Sequence, residues 1–133
     1  MLEWLEGKEQ LPDNSKLPEI VDMLLAIQYS KEKDYGSSWK ARGEHRGIIP
    51  NVDRKYDRLD QMTMAELEGK LKPLREQEEL LKSNYELYAS EVGESKIDAI
   101  ADLAVYCLLY MTYVKENYPN VFKVWVERNV PKG

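Results

Sequence analysis

Cysteine and histidine are almost missing: the 133 residues contain one of each, Cys107 and His45. A single cysteine excludes an internal disulfide and any zinc centre built on cysteine pairs. A single histidine excludes histidine-rich metal sites. A Ser-His-Asp triad would have to use His45, and no nucleophile-elbow sequence accompanies it. Long hydrophobic runs are missing too. The longest near-apolar stretch, Leu103 to Val114, is interrupted by Thr112, and Asp98 and Asp102 stand just upstream. It falls short of the roughly 18 residues a membrane-spanning helix needs, so no membrane association is expected. The opening Met1-Leu2-Glu3-Trp4-Leu5-Glu6 is acidic and has no basic stretch of the kind that begins a secretion signal. These absences predict a cytoplasmic protein without disulfides.

What is present fits one folded domain. The chain is 43% hydrophobic and 32% charged, the balance of a globule rather than a disordered segment. The formal net charge of −5 is unevenly spread. Residues 1–36 carry −4, residues 37–58 carry +3, residues 59–102 carry −6 and residues 103–133 carry +2. An acidic chain with one short basic segment is poorly suited to duplex nucleic acid, which rewards an extended basic face. It is better suited to a small polyanion, although a solvated basic loop accounts for the segment equally well.

The periodicity predicts an all-α fold, a bundle of four to six helices over residues 1–133. Residues 1–14 read as a short helix or arm ending in a turn at Pro12-Asp13-Asn14-Ser15. Leu17, Ile20, Val21, Leu24, Leu25 and Gln28 form an amphipathic stripe that carries a helix to about Lys33. Residues 37–50 contain Gly43, Gly47 and Pro50 without a sustained period and read as a loop. A helix is expected from about Asn51 to Met62, with Val52, Lys55, Tyr56 and Leu59 on one side. Thr63 followed by Glu66 has the spacing of a capping box and predicts a separate short helix to about Lys72. Leu74 to Ser90 is helical by composition. The strongest pattern is Ile97, Ile100, Ala101, Ala104, Leu108 and Met111, a 3.6-residue period from Glu94 to about Asn117. Tyr106, Tyr110 and Tyr113 lie on its other side, so this helix is expected to be central and largely buried. Residues 119–133 read as a last helix, an apolar strand or a tail.

Three patterns carry chemistry. Glu94, Asp98 and Asp102 recur every four residues, which places three carboxylates along one strip of the long helix. Stacked like charges repel, and a divalent cation offsets the repulsion, because Mg²⁺ takes one or two carboxylates together with substrate phosphates. The plain alternative is a helix-dipole acid at Glu94 and solvated aspartates after it. On the first amphipathic helix, Glu19 and Asp22 form a weaker acidic pair that would complete the cluster if the two helices packed antiparallel. Lys31, Lys55 and Arg58 suit phosphate, lysine as a point charge and arginine as a planar fork. Tyr35 and Trp39 suit stacking on a base or anchoring of their loop.

The three blocks Lys31-Glu32-Lys33-Asp34-Tyr35-Gly36-Ser37-Ser38-Trp39, Asp53-Arg54-Lys55-Tyr56-Asp57-Arg58-Leu59 and Glu94 to Tyr106, taken in this order, resemble the phage and bacterial family called nucleotide modification associated domain 1. That family, also described as a domain of unknown function, is similar to the all-α nucleoside triphosphate pyrophosphatases of the MazG and dimeric dUTPase type. The resemblance implies an all-helical, MazG-like fold in which acids on two helices hold Mg²⁺ against a nucleotide's phosphates. On that basis Glu94, Asp98, Asp102 and Glu19 are the expected catalytic residues, and the same four with Asp22 the expected metal ligands. Lys31, Asp34, Tyr35, Trp39, Lys55 and Arg58 are the expected nucleotide-binding residues. The family's dense E-E-x-x-E motif is represented here only by Glu19 and Asp22. The expected activity is Mg²⁺-dependent hydrolysis of a nucleotide between its α- and β-phosphates, in the host cytoplasm if the chain is phage-encoded. A nucleotide-binding module without turnover and a phage-encoded helical interaction protein are the alternatives. The tyrosine-bearing side of the long helix and the apolar residues 121–130 offer more apolar surface than a chain of this size covers, so a homo-oligomer, most simply a homodimer, is expected.

Overall fold

The computed structural model describes residues 16–35, 42–90 and 96–132, with backbone alone for 32–35. Among the described residues the fold is all-α, with six α-helices and no strand. They are α1 (Leu17–Tyr35), α2 (Ile49–Leu67), α3 (Leu74–Ser83), α4 (Tyr85–Ala89), α5 (Lys96–Asn117) and α6 (Pro119–Asn129). A π-helical turn, Glu44–Ile48, leads directly into α2. The N-terminal arm expected over 1–14 lies outside the described residues.

The centre of the fold is the packing of α2 along α5, with the π-turn against both, α6 against the end of α5, and α1 against α5 as well. Val52, Lys55, Leu59, Met62 and Glu66 are among the partly covered residues of α2, spaced by three and four so that they form one face. Tyr56, expected beside them, is instead 61% exposed. The π-turn begins at Gly43, whose φ of 75° is open to glycine at no steric cost. Its far end is tied by Asn51, whose Nδ2 donates to the Gly47 carbonyl at 2.6 Å. Ile48 in this turn and Ala99 on α5 are the two fully buried apolar side chains among the described residues.

Several expected boundaries move. The helix begun near Asn51 does not stop at Met62, and Thr63 caps nothing. Its hydroxyl donates to the Leu59 carbonyl at 3.0 Å, the back-bond of a threonine inside a helix, and α2 runs on to Leu67. The stop comes at Gly69, with φ 76°. The end of the expected loop over 37–50 is helical, because Pro50 fits the first turn of α2. The helix expected over 74–90 breaks at Asn84, which is extended and accepts from the Leu87 amide at 3.2 Å; asparagine is a preferred cap. Residues 119–129 form a helix, with Pro119 at its start.

The largest correction concerns α5. Only Ala99 on it is buried, and the regular stripe taken as its core face is open: Ile97, Ile100, Leu108 and Met111 are all exposed. The tyrosine side is the partly covered one, with Tyr106, Tyr110 and Tyr113 of intermediate exposure. By length and composition this 22-residue helix could cross a membrane, which the shorter apolar run in the sequence did not suggest. Its pairing with α2 argues against that course, because α2 carries Asp53, Arg54, Lys55, Asp57, Arg58 and Asp60 within two turns.

Candidate functional site

Three distant stretches of sequence meet at the Asp102 carboxylate. Lys31, in the last part of α1, donates from Nζ to Oδ1 at 3.1 Å. Lys55 on α2 brings its Nζ to 3.1 Å from Oδ2. Asp102 projects from the flank of α5 that packs on α2, so its carboxylate sits in the seam where the three helices approach. Its side chain keeps 26% of its surface, Lys55 23% and Lys31 51%. Burial pushes the Asp102 pKa up, but hydrogen bonds and charge from both lysines outweigh it and hold the carboxyl below its ordinary range. The expected strain of stacked carboxylates is therefore absent at Asp102: one carboxylate faces two ammonium groups.

Beside this cluster the surface of α2 is concave and basic. A cavity of about 330 Å³ is lined by Arg54, Lys55, Asp57, Arg58 and Gln61. Lys55 and Arg58, three residues apart, thus reach a common space, as their spacing suggested. Lys55 belongs to both the cavity and the Asp102 cluster and links the two.

The remaining expected residues are placed unevenly. Asp98 lies one turn before Asp102 and is exposed, and Glu19 and Asp22 are exposed on α1. The backbones of Asp34 and Tyr35 belong to the end of α1, while their side chains, together with Trp39 and Glu94, lie outside the described residues. Among the described residues no three acidic, histidine or cysteine side chains gather closely enough to hold a metal. Asp98 and Asp102 stand one helical turn apart on α5, and both oxygens of Asp102 are held by lysines.

Two carboxylates with structural partners were not visible in the sequence. Glu66 on α2, with 14% of its side chain exposed, pairs with Lys96 of α5 at 3.2 Å, and its Oε1 is buried without a hydrogen-bond partner among the described residues. Glu44, at the start of the π-turn, accepts from the Tyr110 hydroxyl through Oε1 and from the Tyr118 hydroxyl through Oε2 at 3.2 Å. The Tyr110 hydrogen bond, with burial and the negative charge of Glu44, pushes the Tyr110 pKa up to about 12. The same bond, helped by Tyr118 and His45, lowers that of Glu44 against the opposing effect of burial. This clamp fastens the start of the π-turn, within the basic segment, to α5 and the start of α6. The only sequence signal at Glu44 is an acid in the first turn of a short helical stretch, which any dipole argument explains as well, and at Glu66 it is the capping-box spacing to Thr63.

The class this geometry defines is an all-α protein with a carboxylate–lysine cluster where three helices meet. Against known proteins the chain is similar to the Gene 30 protein of Bacillus phage SP01, 56% identical over 124 residues. The match takes in 93% of this chain and 55% of that protein, so the chain spans about half the length of its phage relative. No protein-family model matches the chain, and no solved structure does.

Proposed function

We propose that this protein is a Mg²⁺-dependent nucleotide hydrolase of the nucleoside triphosphate pyrophosphatase type, acting in the cytoplasm of a phage-infected cell. The observation that carries the reading is the meeting of Lys31, Lys55 and Asp102, one residue from each of the three sequence blocks that resemble a nucleotide-associated family. Two lysines on one carboxylate form a cluster whose cations can pass to a stronger anion. A polyphosphate entering beside α2 meets Lys55 and Arg58 in the basic cavity and Lys31 across the seam. Lysine supplies point charge to the phosphates and Arg58 a fork of parallel N–H donors. Transfer of the lysines to phosphate frees both oxygens of Asp102, and Asp98 stands one turn away as the second carboxylate. Mg²⁺ held there would polarise the phosphoryl group and lower the pKa of the attacking water. Glu94 and Glu19 are the further acids proposed for the site, with Asp22 beside Glu19 on α1. Asp34, Tyr35 and Trp39 are proposed to meet the nucleoside.

A second reading is favoured by one specific feature. Asp102 is already neutralised by two cations, and no three-carboxylate group occurs among the described residues. Both suit a module that binds a nucleotide and does not cleave it. A panel of ribo- and deoxyribonucleoside triphosphates, followed for pyrophosphate and phosphate release with and without Mg²⁺ and for binding by calorimetry, separates the two. Mg²⁺-dependent turnover that Asp102→Asn abolishes supports the hydrolase. Tight binding without turnover supports the module. Absence of both removes the nucleotide reading. In either of the first two cases Lys55→Met weakens nucleotide binding by about tenfold or more, through loss of a charge-assisted contact.

A further inference from the structure

A trough opens along α5 on the side of α2 away from the basic cavity. Its larger part, about 450 Å³, lies between α2, α5 and α6 and is lined in part by Val52, Cys107, Tyr110, Val114, Phe122 and Trp125. A second part of about 440 Å³ shares Val52, Cys107 and Tyr110 and extends it to Tyr56 and Leu103. Around α2, Val52 and Tyr56 leave the helix opposite Arg54, Arg58 and Gln61, which line the basic cavity. The two spaces are therefore separate. From Leu103 to Val114 the trough follows α5 for about 16 Å. Both volumes together, spread over that length, give a section of at most about 55 Å². An α-helix, about 10–12 Å across with its side chains, needs roughly 80 Å² or more. The trough is too slender to take in a helix and suits a single chain of methylenes.

Along its length the trough offers a ligand little to hydrogen-bond. The Tyr110 hydroxyl is committed to Glu44, and Cys107 brings only a thiol, a weak donor. Charge stands at the two ends instead. At the α6 end the Lys115 ammonium lies 5.8 Å from the centre of the Phe122 ring, and Trp125 packs on that ring at 5.6 Å. At the α2 end stands Asp53. We infer that the trough binds a free fatty acid, its extended tail of about twelve carbons running along Cys107 and Tyr110 and its carboxylate at Lys115. The aromatic face attracts the ammonium without neutralising it, so a carboxylate at the mouth adds a true counter-charge. Asp53 turns the same carboxylate away from the other end, which fixes the orientation. A single molecule fits better than a bilayer because the apolar surface is sunk between three helices and takes in one tail. The inference is independent of the nucleotide reading, since nothing in it involves the Asp102 cluster.

Calorimetry of the full chain, without Mg²⁺ or nucleotide, tests it with dodecanoate kept below its micelle-forming concentration. Saturable one-to-one binding is expected. Decanoate, shorter by two methylenes, is expected to bind roughly fifteenfold more weakly, because each buried CH₂ contributes about fourfold. Lys115→Met keeps an apolar stem and removes the cation. It is expected to weaken dodecanoate by about two- to fivefold, the range of an exposed ion pair, and to leave binding of uncharged decanol unchanged. Cys107, the single cysteine, gives a second readout in the unaltered protein: dodecanoate is expected to slow its alkylation by iodoacetamide. No saturable binding, equal affinity for decanoate and dodecanoate, or tighter binding of dodecylammonium than of dodecanoate would overturn the inference. Binding that leaves Cys107 as reactive as before would overturn it too, by placing the tail elsewhere. So would a protein that floats with phosphatidylglycerol vesicles and ignores monomeric dodecanoate. A negative nucleotide panel leaves the trough untouched, and an empty trough leaves the Asp102 cluster untouched.

Discussion

The two flanks of α5 are treated in opposite ways. On the flank toward α2, the polar groups are partnered within the chain: Asp102 by two lysines, Tyr110 by Glu44, and Lys96 by Glu66. On the other flank the side chains are apolar, and Ile97, Ile100, Leu108 and Met111 remain open to solvent. Ordinary burial would run the other way, because apolar area gains most from leaving water and an ion pair gains least. The α2–α5 seam fixes the position of charged groups, and the other flank is left apolar and open.

The largest effect expected from this contrast is at Ile48, which is fully buried where the π-turn meets the α2–α5 seam. Ile48→Ala is expected to cost about 2–4 kcal/mol in denaturant unfolding, from lost transfer energy and the cavity left behind. Ile100→Ala on the bare flank, measured in dilute protein, is expected to cost less than about 1 kcal/mol, since its side chain is already 43% exposed. Comparable costs at the two positions would break the contrast. A cost at Ile100 that grows with protein concentration would sharpen it, by assigning that flank to a partner.

A smaller effect is expected at Asp102. Asp102→Asn leaves Lys31 and Lys55 facing each other without a counter-charge. Because both pairs are partly open to water, the loss is expected to be about 1 kcal/mol. The sign opposes the one that carboxylate repulsion alone predicts, under which removing a charge would stabilise the metal-free protein. The pH dependence follows from the lowered pKa of Asp102. A carboxyl that ionises more readily folded than unfolded adds stability above its unfolded value. That stability is lost as the pH falls from the ordinary value of 3.8 through the lower folded one. Melts of wild type and Asp102→Asn are expected to diverge near neutrality and converge in strong acid. A variant at least as stable as wild type at pH 7 would show that the lysine pairs contribute nothing.

Much of the fold was legible because helical periodicity is a local property. The stripe Val21, Leu24 and Gln28 gives α1, and Pro119 gives the start of α6, without knowledge of any neighbour. Which face of α5 is covered was not legible. A helix that is apolar nearly all round has no single stripe to point inward, and the more regular of its two faces was the open one. Thr63 misled for a related reason. Its spacing to Glu66 is that of a capping box, but whether the hydroxyl turns forward to an amide or back to the Leu59 carbonyl depends on α2 continuing beneath it. In the candidate site, Lys31, Lys55 and Asp102 could each be singled out by residue type and by resemblance. That they meet is a fact of three-helix packing across sequence separations of 71 and 47 residues. Glu44 and Glu66 were missed because their partners, Tyr110 with Tyr118 and Lys96, lie far along the chain and carry no shared motif.

The smallest effect on stability and the most specific spectroscopic one is expected at Glu44, on the partnered flank. The hydrogen bond from Tyr110 to the Glu44 carboxylate favours the neutral phenol and holds its pKa at about 12, against an ordinary 10.0. A tyrosine whose folded pKa is raised adds stability that is fully present below pH 10. That stability is lost as the pH climbs from 10 through the folded value near 12. Glu44→Gln removes the negative charge and keeps the shape. The melt at neutral pH should barely move, because the clamp lies near the surface and water can replace one bond. The tyrosinate absorbance should change more visibly. In the wild type a late-titrating component belongs to Tyr110, with Tyr118 also raised by the same carboxylate. In the variant both components move back toward 10. Superimposable titration curves would mean that the Glu44 clamp does not persist in solution, and that the basic segment is held to α5 by Ile48 and the packing of the π-turn alone.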